Sequence, residues 1–251
     1  MIVAEHLRKT FPGRGKDKTP VIAVDDVGFT ARDGEITGLL GPNGAGKTTT
    51  LRMLYTLMSP ESGRVLVDGI DVASDAERVR RNLGVLPDAR GVYKRLTARE
   101  NIDYFGKLHG MSAAEIAART GRLAQALQME DFLDRATEGF SQGQRTKTAI
   151  ARALIHDPKN VILDEPTNGL DVMTTRGLRG FLQELRGEGR CVIFSSHIMQ
   201  EVAALCDRIV IIASGRVTAQ GTPDELRALT GEANLEDAFV KLIGSEEGLH
   251  A

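Results

Sequence analysis

Apolar residues fall into two patterns along this chain. Short β-branched runs at 36–40, 83–86, 161–163, 192–195 and 209–212 are almost continuous, as strands covered on both faces of a parallel sheet must be. Longer segments of helical period separate them, so the pattern predicts an α/β core with mainly parallel strands. Residues 2–29 and 64–68 alternate apolar with polar instead. That alternation predicts an antiparallel sheet with one solvated face, set beside the core.

Between 90 and 140 the strand signals vanish and helix signals replace them. Thr97 with Glu100 and Ser112 with Glu115 each fit a capping box, and Ile116, Leu123 and Leu127 recur at near-helical spacing. The stretch predicts a helical subdomain inserted into the core. Thr222, Pro223 and Glu225 combine a cap, a proline at the first helical position and a glutamate at the third, predicting a helix over 224–229. Residues 12–20, rich in Gly, Pro and charge, read as an exposed loop. The expected layout is one domain over 1–251: core about 1–87 and 141–220, helical subdomain about 88–140, helical tail about 221–251.

Composition narrows the choices. With 251 residues, 41% hydrophobic and 26% charged, the chain can bury a substantial core and is not a disordered or disulfide-stapled protein. A net charge of −2 gives no polycationic footprint, so no nucleic-acid partner is expected. Cys191 and Cys206 have apolar neighbours and no ligand spacing, which reads as buried thiols in a reducing compartment. No secretory signal opens the sequence, and no apolar run approaches the roughly 20 residues that span a bilayer.

Gly41, Pro42, Asn43, Gly44, Ala45, Gly46, Lys47 and Thr48, followed by Thr49, fit G-x-x-x-x-G-K-[ST]. Its glycines let backbone amides turn inward around a polyphosphate, Lys47 can reach the outer phosphates, and the Thr48 hydroxyl can hold Mg²⁺. Chance supplies this string in only about 1% of chains this long. The apolar run 36–40 enters the loop and a helix predicted over 48–58 leaves it, with its N-terminal amides toward the phosphate. The run 161–163 ends in Asp164 and Glu165. Beside a phosphate loop, the first can bind Mg²⁺ and the second can orient or deprotonate an attacking water.

The order of these motifs, with Phe140-Ser141-Gln142-Gly143-Gln144-Arg145 placed 23 residues before Asp164, then Pro166-Thr167, Asn168-Gly169-Leu170-Asp171 and Ser195-Ser196-His197, resembles the ATP-binding cassette (ABC) ATPases over nearly the whole chain. Within that family it looks most like the NatA-type ATPases of exporters, whose permeases are of the ABC-2 kind. The resemblance implies a P-loop (RecA-like) core, ATP and Mg²⁺ as ligands, hydrolysis, and export of a solute such as sodium or a drug. It also implies a head-to-tail homodimer or paired ATPase subunit, a separate integral-membrane permease, and a cytoplasmic position at the inner face of the membrane. The alternative from another class is a non-transport ABC ATPase acting on ribosomes or DNA.

Residue roles follow from the same resemblance. Ser141, Gly143 and Gln144 match the signature loop, which reaches the γ-phosphate held by the other subunit. His197 matches the switch histidine at the γ-phosphate, Asp171 the acid that couples the two sites, and Phe11 an aromatic that stacks on adenine. His6, His109, His156 and His250 carry no such context. Gln142 replaces a common glycine. Asp88 stands where the family usually has a glutamine that touches Mg²⁺ or the attacking water. A carboxylate there can bind the metal or merely cap a turn, and both readings stay open. Arg78, Arg80 and Arg81 read as a solvated helix face.

Overall fold

The computed structural model describes residues 1–13, 19–88 and 91–244. Strands β1 (Ile2–Phe11) and β2 (Val21–Ala31) pair antiparallel. β3 (Ile36–Leu40) runs into the phosphate loop and α1 (Lys47–Leu54) leaves it. β4 (Ser62–Val67) and β5 (Ile70–Asp71) complete a four-stranded antiparallel sheet in the order β2-β1-β4-β5. After α2 (Ala76–Arg81) and β6 (Leu83–Leu86), the chain turns helical in α3 (Ala98–Leu108), α4 (Ala113–Ala126) and a 3₁₀ turn at Glu130–Phe132. Both capping boxes close as the sequence predicts, at Thr97 with Glu100 and at Ser112 with Glu115.

α5 (Gln142–Leu154) leads back to the core and β7 (Asn160–Leu163). Then follow α6 (Val172–Gly187), β8 (Cys191–Ser196), α7 (Met199–Leu205), β9 (Arg208–Ala213) and β10 (Arg216–Gly221). The six-stranded sheet has the order β10-β9-β3-β8-β7-β6, parallel except for β10. α8 (Pro223–Thr230), with the expected Thr222 capping box, and α9 (Leu235–Ile243) close the described chain. Of the expected segments, 14–18 in the loop, 89–90 at the entry to the helices and 245–251 in the tail lie outside the described residues.

The continuous apolar runs behave as two-faced strands. Ile36, Val161, Val192 and Ile209 enter one core, which the helices α5 to α7 cover. Leu39, Ile162, Ile193 and Val210 enter a second core with α1 and the antiparallel sheet. Parallel neighbours put the carboxyl ends of β3, β8 and β7 on one edge, where ligands of such sheets bind.

The helix after the phosphate loop is shorter than the predicted 48–58. It ends at Leu54 because Thr56 adopts φ 65, and the amides of Leu57 and Met58 both fold back to the Arg52 carbonyl. This is a helix C-cap built without glycine. The two cysteines are buried as expected; burial pushes the Cys191 thiol up to about 12 and raises Cys206 as well.

His156, just beyond α5, hydrogen-bonds the Leu83 carbonyl at 3.1 Å and stacks on His109 with centroids 3.7 Å apart. Burial first, and the neighbouring His109 second, push its pKa from 6.5 down to about 4. The unfolded chain therefore binds a proton that the folded chain resists, and stability should fall as pH drops from about 6.5 toward 4. Urea midpoints measured across that range should show the slope, and His156→Gln should flatten it.

Candidate functional site

The loop Gly41 to Thr48 is shaped by its contacts with the frame. A Cβ on Gly41 would sit 2.1 Å from the Ile212 carbonyl oxygen of β9. Gly46 adopts φ 104, and a Cβ there would lie 2.4 Å from the Ala23 oxygen of β2. Both positions require glycine, one for closeness and one for conformation as well. α1 starts directly behind, so its unpaired amides face the loop's interior.

Lys47 is 5% exposed, and its ammonium donates to the carbonyls of Gly41 at 2.7 Å and Pro42 at 3.1 Å. Burial lowers its pKa, while the negative charges of Glu165 and Asp164 hold it up. Lys47 Nζ lies 3.7 Å from Glu165 Oε1. Glu165 Oε2 in turn lies 3.3 Å from His197 Nδ1. One carboxylate thus stands between the loop lysine and the histidine after β8.

Strand register brings these groups together. Leu163 pairs with Phe194, which sets Asp164 beside Ser195, and Leu86 pairs with Leu163, which sets Asp88 beyond the same end. The Ser195 hydroxyl donates to Asp164 Oδ1 at 2.7 Å and accepts from the Glu165 amide at 2.8 Å. Glu165 takes φ 46, a left-handed conformation that costs a non-glycine residue on the order of 1–2 kcal/mol. The strain turns the chain sharply at the end of β7.

Asp164 is fully buried, and its Oδ2 has no hydrogen-bond partner. Burial raises its pKa, the Ser195 and nearby Thr48 hydroxyls counter that, and the charges of Asp88 and Glu165 add to the rise. A buried carboxylate oxygen left without a donor, among other acids and a hydroxyl, suits a hard divalent cation. Among the described residues no cluster of three or more His, Cys, Asp or Glu side chains is placed to hold a metal by itself. That fits Mg²⁺, which takes one or two protein oxygens and completes its shell with phosphates and water.

Phe11, Ala23, Asn43 to Thr49 and Glu165 line one cleft of about 310 Å³. The sequence-predicted residues Phe11, Asn43, Gly44, Ala45, Gly46, Lys47, Thr48, Thr49 and Glu165 therefore share a wall. Ser141, Gly143 and Gln144 do not line it. Ser141 is an exposed N-cap of α5, accepting from the Gln144 amide at 3.2 Å, and its own O–H can still donate. Asp171 caps α6 through the Thr174 amide, and Asp88 is exposed.

Residues 24–168, more than half of the chain, match the family model described as ABC transporter. The chain belongs to that family. It is 47% identical over 215 residues to the ABC transporter ATP-binding protein NatA of Bacillus subtilis, covering 85% of this chain and 87% of that one. It is 36% identical over 228 residues to the Nod factor export ATP-binding protein I of Ralstonia nicotianae, covering 86% and 71%. A solved dimeric ATP-binding cassette in a post-hydrolysis state with ADP and Pi shares the fold at a TM-score of 0.80 and 26% identity, covering 88% and 98%. As a member of this family, the chain is an ATP-binding, ATP-hydrolysing transporter component with the expected α/β P-loop fold.

Two participants of this ABC site escaped the sequence. Ser195 orients both acids, yet in the string Ser-Ser-His only the histidine drew a role. Glu201, buried on α7, accepts from Thr167 at 2.5 Å and Ser196 at 3.0 Å, tying the turn after β7 to the end of β8. Its signal was a glutamate in an apolar helix face, which is ambiguous until the partners are known.

Proposed function

We propose that this chain drives solute export, working as a head-to-tail dimer at the cytoplasmic face of a membrane beneath a separate permease of the ABC-2 kind. The observation that carries the catalytic part is the placement of Glu165 between Lys47 and His197 at the mouth of the phosphate loop. Among the described residues no helix is long and apolar enough to cross a membrane. Passage of the solute therefore falls to the permease, and the names of the export relatives support the direction.

In this reading the loop amides and the Lys47 ammonium bind the β- and γ-phosphates, and Phe11 stacks on the adenine. Thr48, Asp164 and Asp88 would hold Mg²⁺, which supplies positive charge to the phosphate oxygens. Glu165 accepts the proton of the water that attacks the γ-phosphorus, as the bond to the ADP oxygen breaks. His197 holds that carboxylate and reaches the γ-phosphate. Ser141, Gly143 and Gln144 act on the nucleotide of the other subunit, which accounts for their standing outside their own subunit's cleft. Catalysis is mostly positioning and charge stabilisation.

Mixing tests the dimer. Ser141→Arg and Lys47→Ala subunits should each be nearly inactive alone, and the mixture, which rebuilds one complete composite site in two, should recover ATPase activity. A mixture that gives neither activity nor ATP-dependent heterodimer removes the trans arrangement. Asp88 is tested separately, by titrating Mg²⁺. Asp88→Asn should raise the Mg²⁺ concentration for half-maximal activity several-fold at an unchanged melting temperature, because an exposed polar swap removes no core volume. An unshifted curve leaves Asp88 as a turn residue.

A further inference from the structure

Beneath the turn that ends at Asp171, the helices α4, α5 and α6 do not close on one another. A partly open cavity of about 130 Å³ lies between them, close to the roughly 150 Å³ of an engineered apolar cavity that takes up benzene. Its walls are the buried side chains Leu127, Ile150, Leu178 and Phe181. Protein interiors are generally close-packed, and a gap of this kind forfeits dispersion contacts along its lining.

Two glycines of α6 border the gap at its open side. Gly177 and Gly180 both line it from inside the helix, where glycine is a poorer helix former than alanine. Neither adopts a positive φ. A Cβ on Gly180 would meet nothing within 4 Å, and one on Gly177 would meet only Gln128 Oε1 at 4.0 Å. Neither conformation nor a close neighbour within the chain accounts for them. Both are exposed at the mouth of the cavity, and what they leave is open space beside its wall.

One half-buried cation enters the lining, where Gln128, Thr146 and Thr174 add polar atoms to the apolar walls. Lys147 of α5 donates to the Gln128 carbonyl at 3.3 Å, and burial holds its ammonium below its ordinary pKa. Glu184 also borders the cavity but is exposed at the rim. An apolar body would restore the missing contacts along the walls, and a single anionic oxygen group would meet the Lys147 ammonium.

We propose that this cavity binds a small apolar carboxylate, which wedges α4 and α5 against α6. α5 begins at Ser141 and α6 at Asp171, so an occupant fixes the spacing of those two caps and thereby alters ATP turnover. The coupling, unlike the binding, rests on the ATPase reading above.

Octanoate is the test ligand, with the fluorescent anion 8-anilinonaphthalene-1-sulfonate as reporter on the full chain. The parent should bind the reporter saturably, and octanoate should displace it from one site at a concentration at least tenfold below that of the neutral octyl glucoside. Gly180→Leu, whose side chain lies across the mouth of the cavity, should lose that one site and melt no lower than the parent. Lys147→Met adds no volume and should weaken octanoate about tenfold, which keeps the result independent of how the leucine packs. Octanoate should change ATP turnover at least twofold in the parent and leave Gly180→Leu unaffected. Equal reporter stoichiometry and equal octanoate affinity in parent and Gly180→Leu would overturn the site, as would equal displacement by octanoate and octyl glucoside. Site-specific binding with unchanged turnover would overturn the coupling. A parent that hydrolyses no ATP would contradict the functional reading while leaving the binding result to stand on its own.

Discussion

Glu165→Gln should still bind ATP but hydrolyse it between about a hundred- and ten-thousand-fold more slowly, the range by which a positioned general base accelerates proton transfer. The amide keeps the shape of the carboxylate and cannot take a proton from water. It also removes the charge that faces Lys47 at 3.7 Å and His197 at 3.3 Å, so ATP affinity should not fall. Because chemistry alone is blocked, the variant should accumulate as an ATP-bound dimer, visible by size-exclusion chromatography. Single-turnover rates with labelled ATP separate the two effects. Turnover within a few-fold of the parent would take Glu165 out of the catalytic role.

Gly46→Ala should act at an earlier stage and lose ATP binding by a hundredfold or more. The φ of 104 is one that residues with a Cβ rarely adopt, and the added methyl would approach the Ala23 carbonyl of β2 to 2.4 Å. Backbone cannot swing aside as a flexible side chain can. Either the loop or the β2 edge must move, at a cost of about 3 kcal/mol when strain and displaced packing are taken together. The loop's amides then no longer converge on one anion. Calorimetry with ATP and a thermal melt should show loss of affinity together with a lower melting temperature. Lys47→Ala, by contrast, should lose affinity with the backbone intact. A Gly46→Ala variant with parental affinity would mean that the loop tolerates a conformation the glycine does not need.

These two positions differ in how visible they were before folding. Gly46 and Glu165 both belong to strings whose chemistry can be read in order along the chain, since a phosphate loop and a strand ending in two acids are local patterns. The capping boxes at Thr97, Ser112 and Thr222 were legible for the same reason, because both partners lie within four residues. The end of α1 was not. Apolar residues continue at helical spacing to Met58, but the chain turns at Thr56, a threonine in the left-handed region that no composition rule points to.

Ser195 shows the limit more sharply. It serves Asp164 and Glu165 from 31 and 30 residues away, and only the pairing of β7 with β8 puts it there. A one-residue slip in that register would turn its hydroxyl to the other face of the sheet and take the Ser195 donor away from Asp164. The buried Glu201, meeting Thr167 and Ser196, depends on the packing of α7 in the same way. So does the cavity between α4, α5 and α6, whose glycines look in sequence like mere interruptions of a helix.

The sequence by itself determined the element types, the two-faced strands of the core, the phosphate loop and the identity of the acids beside it. Each of these depends on periodicity or on hydrogen bonds within a few residues, and such local terms are written directly in residue order. Tertiary structure alone decided which residues meet: the Lys47, Glu165 and His197 line, the unpartnered oxygen of Asp164, the exclusion of Ser141 from its own cleft, and the gap bordered by Gly177 and Gly180. Strand register and helix packing are collective outcomes of burying both faces of one sheet, so no single segment encodes them.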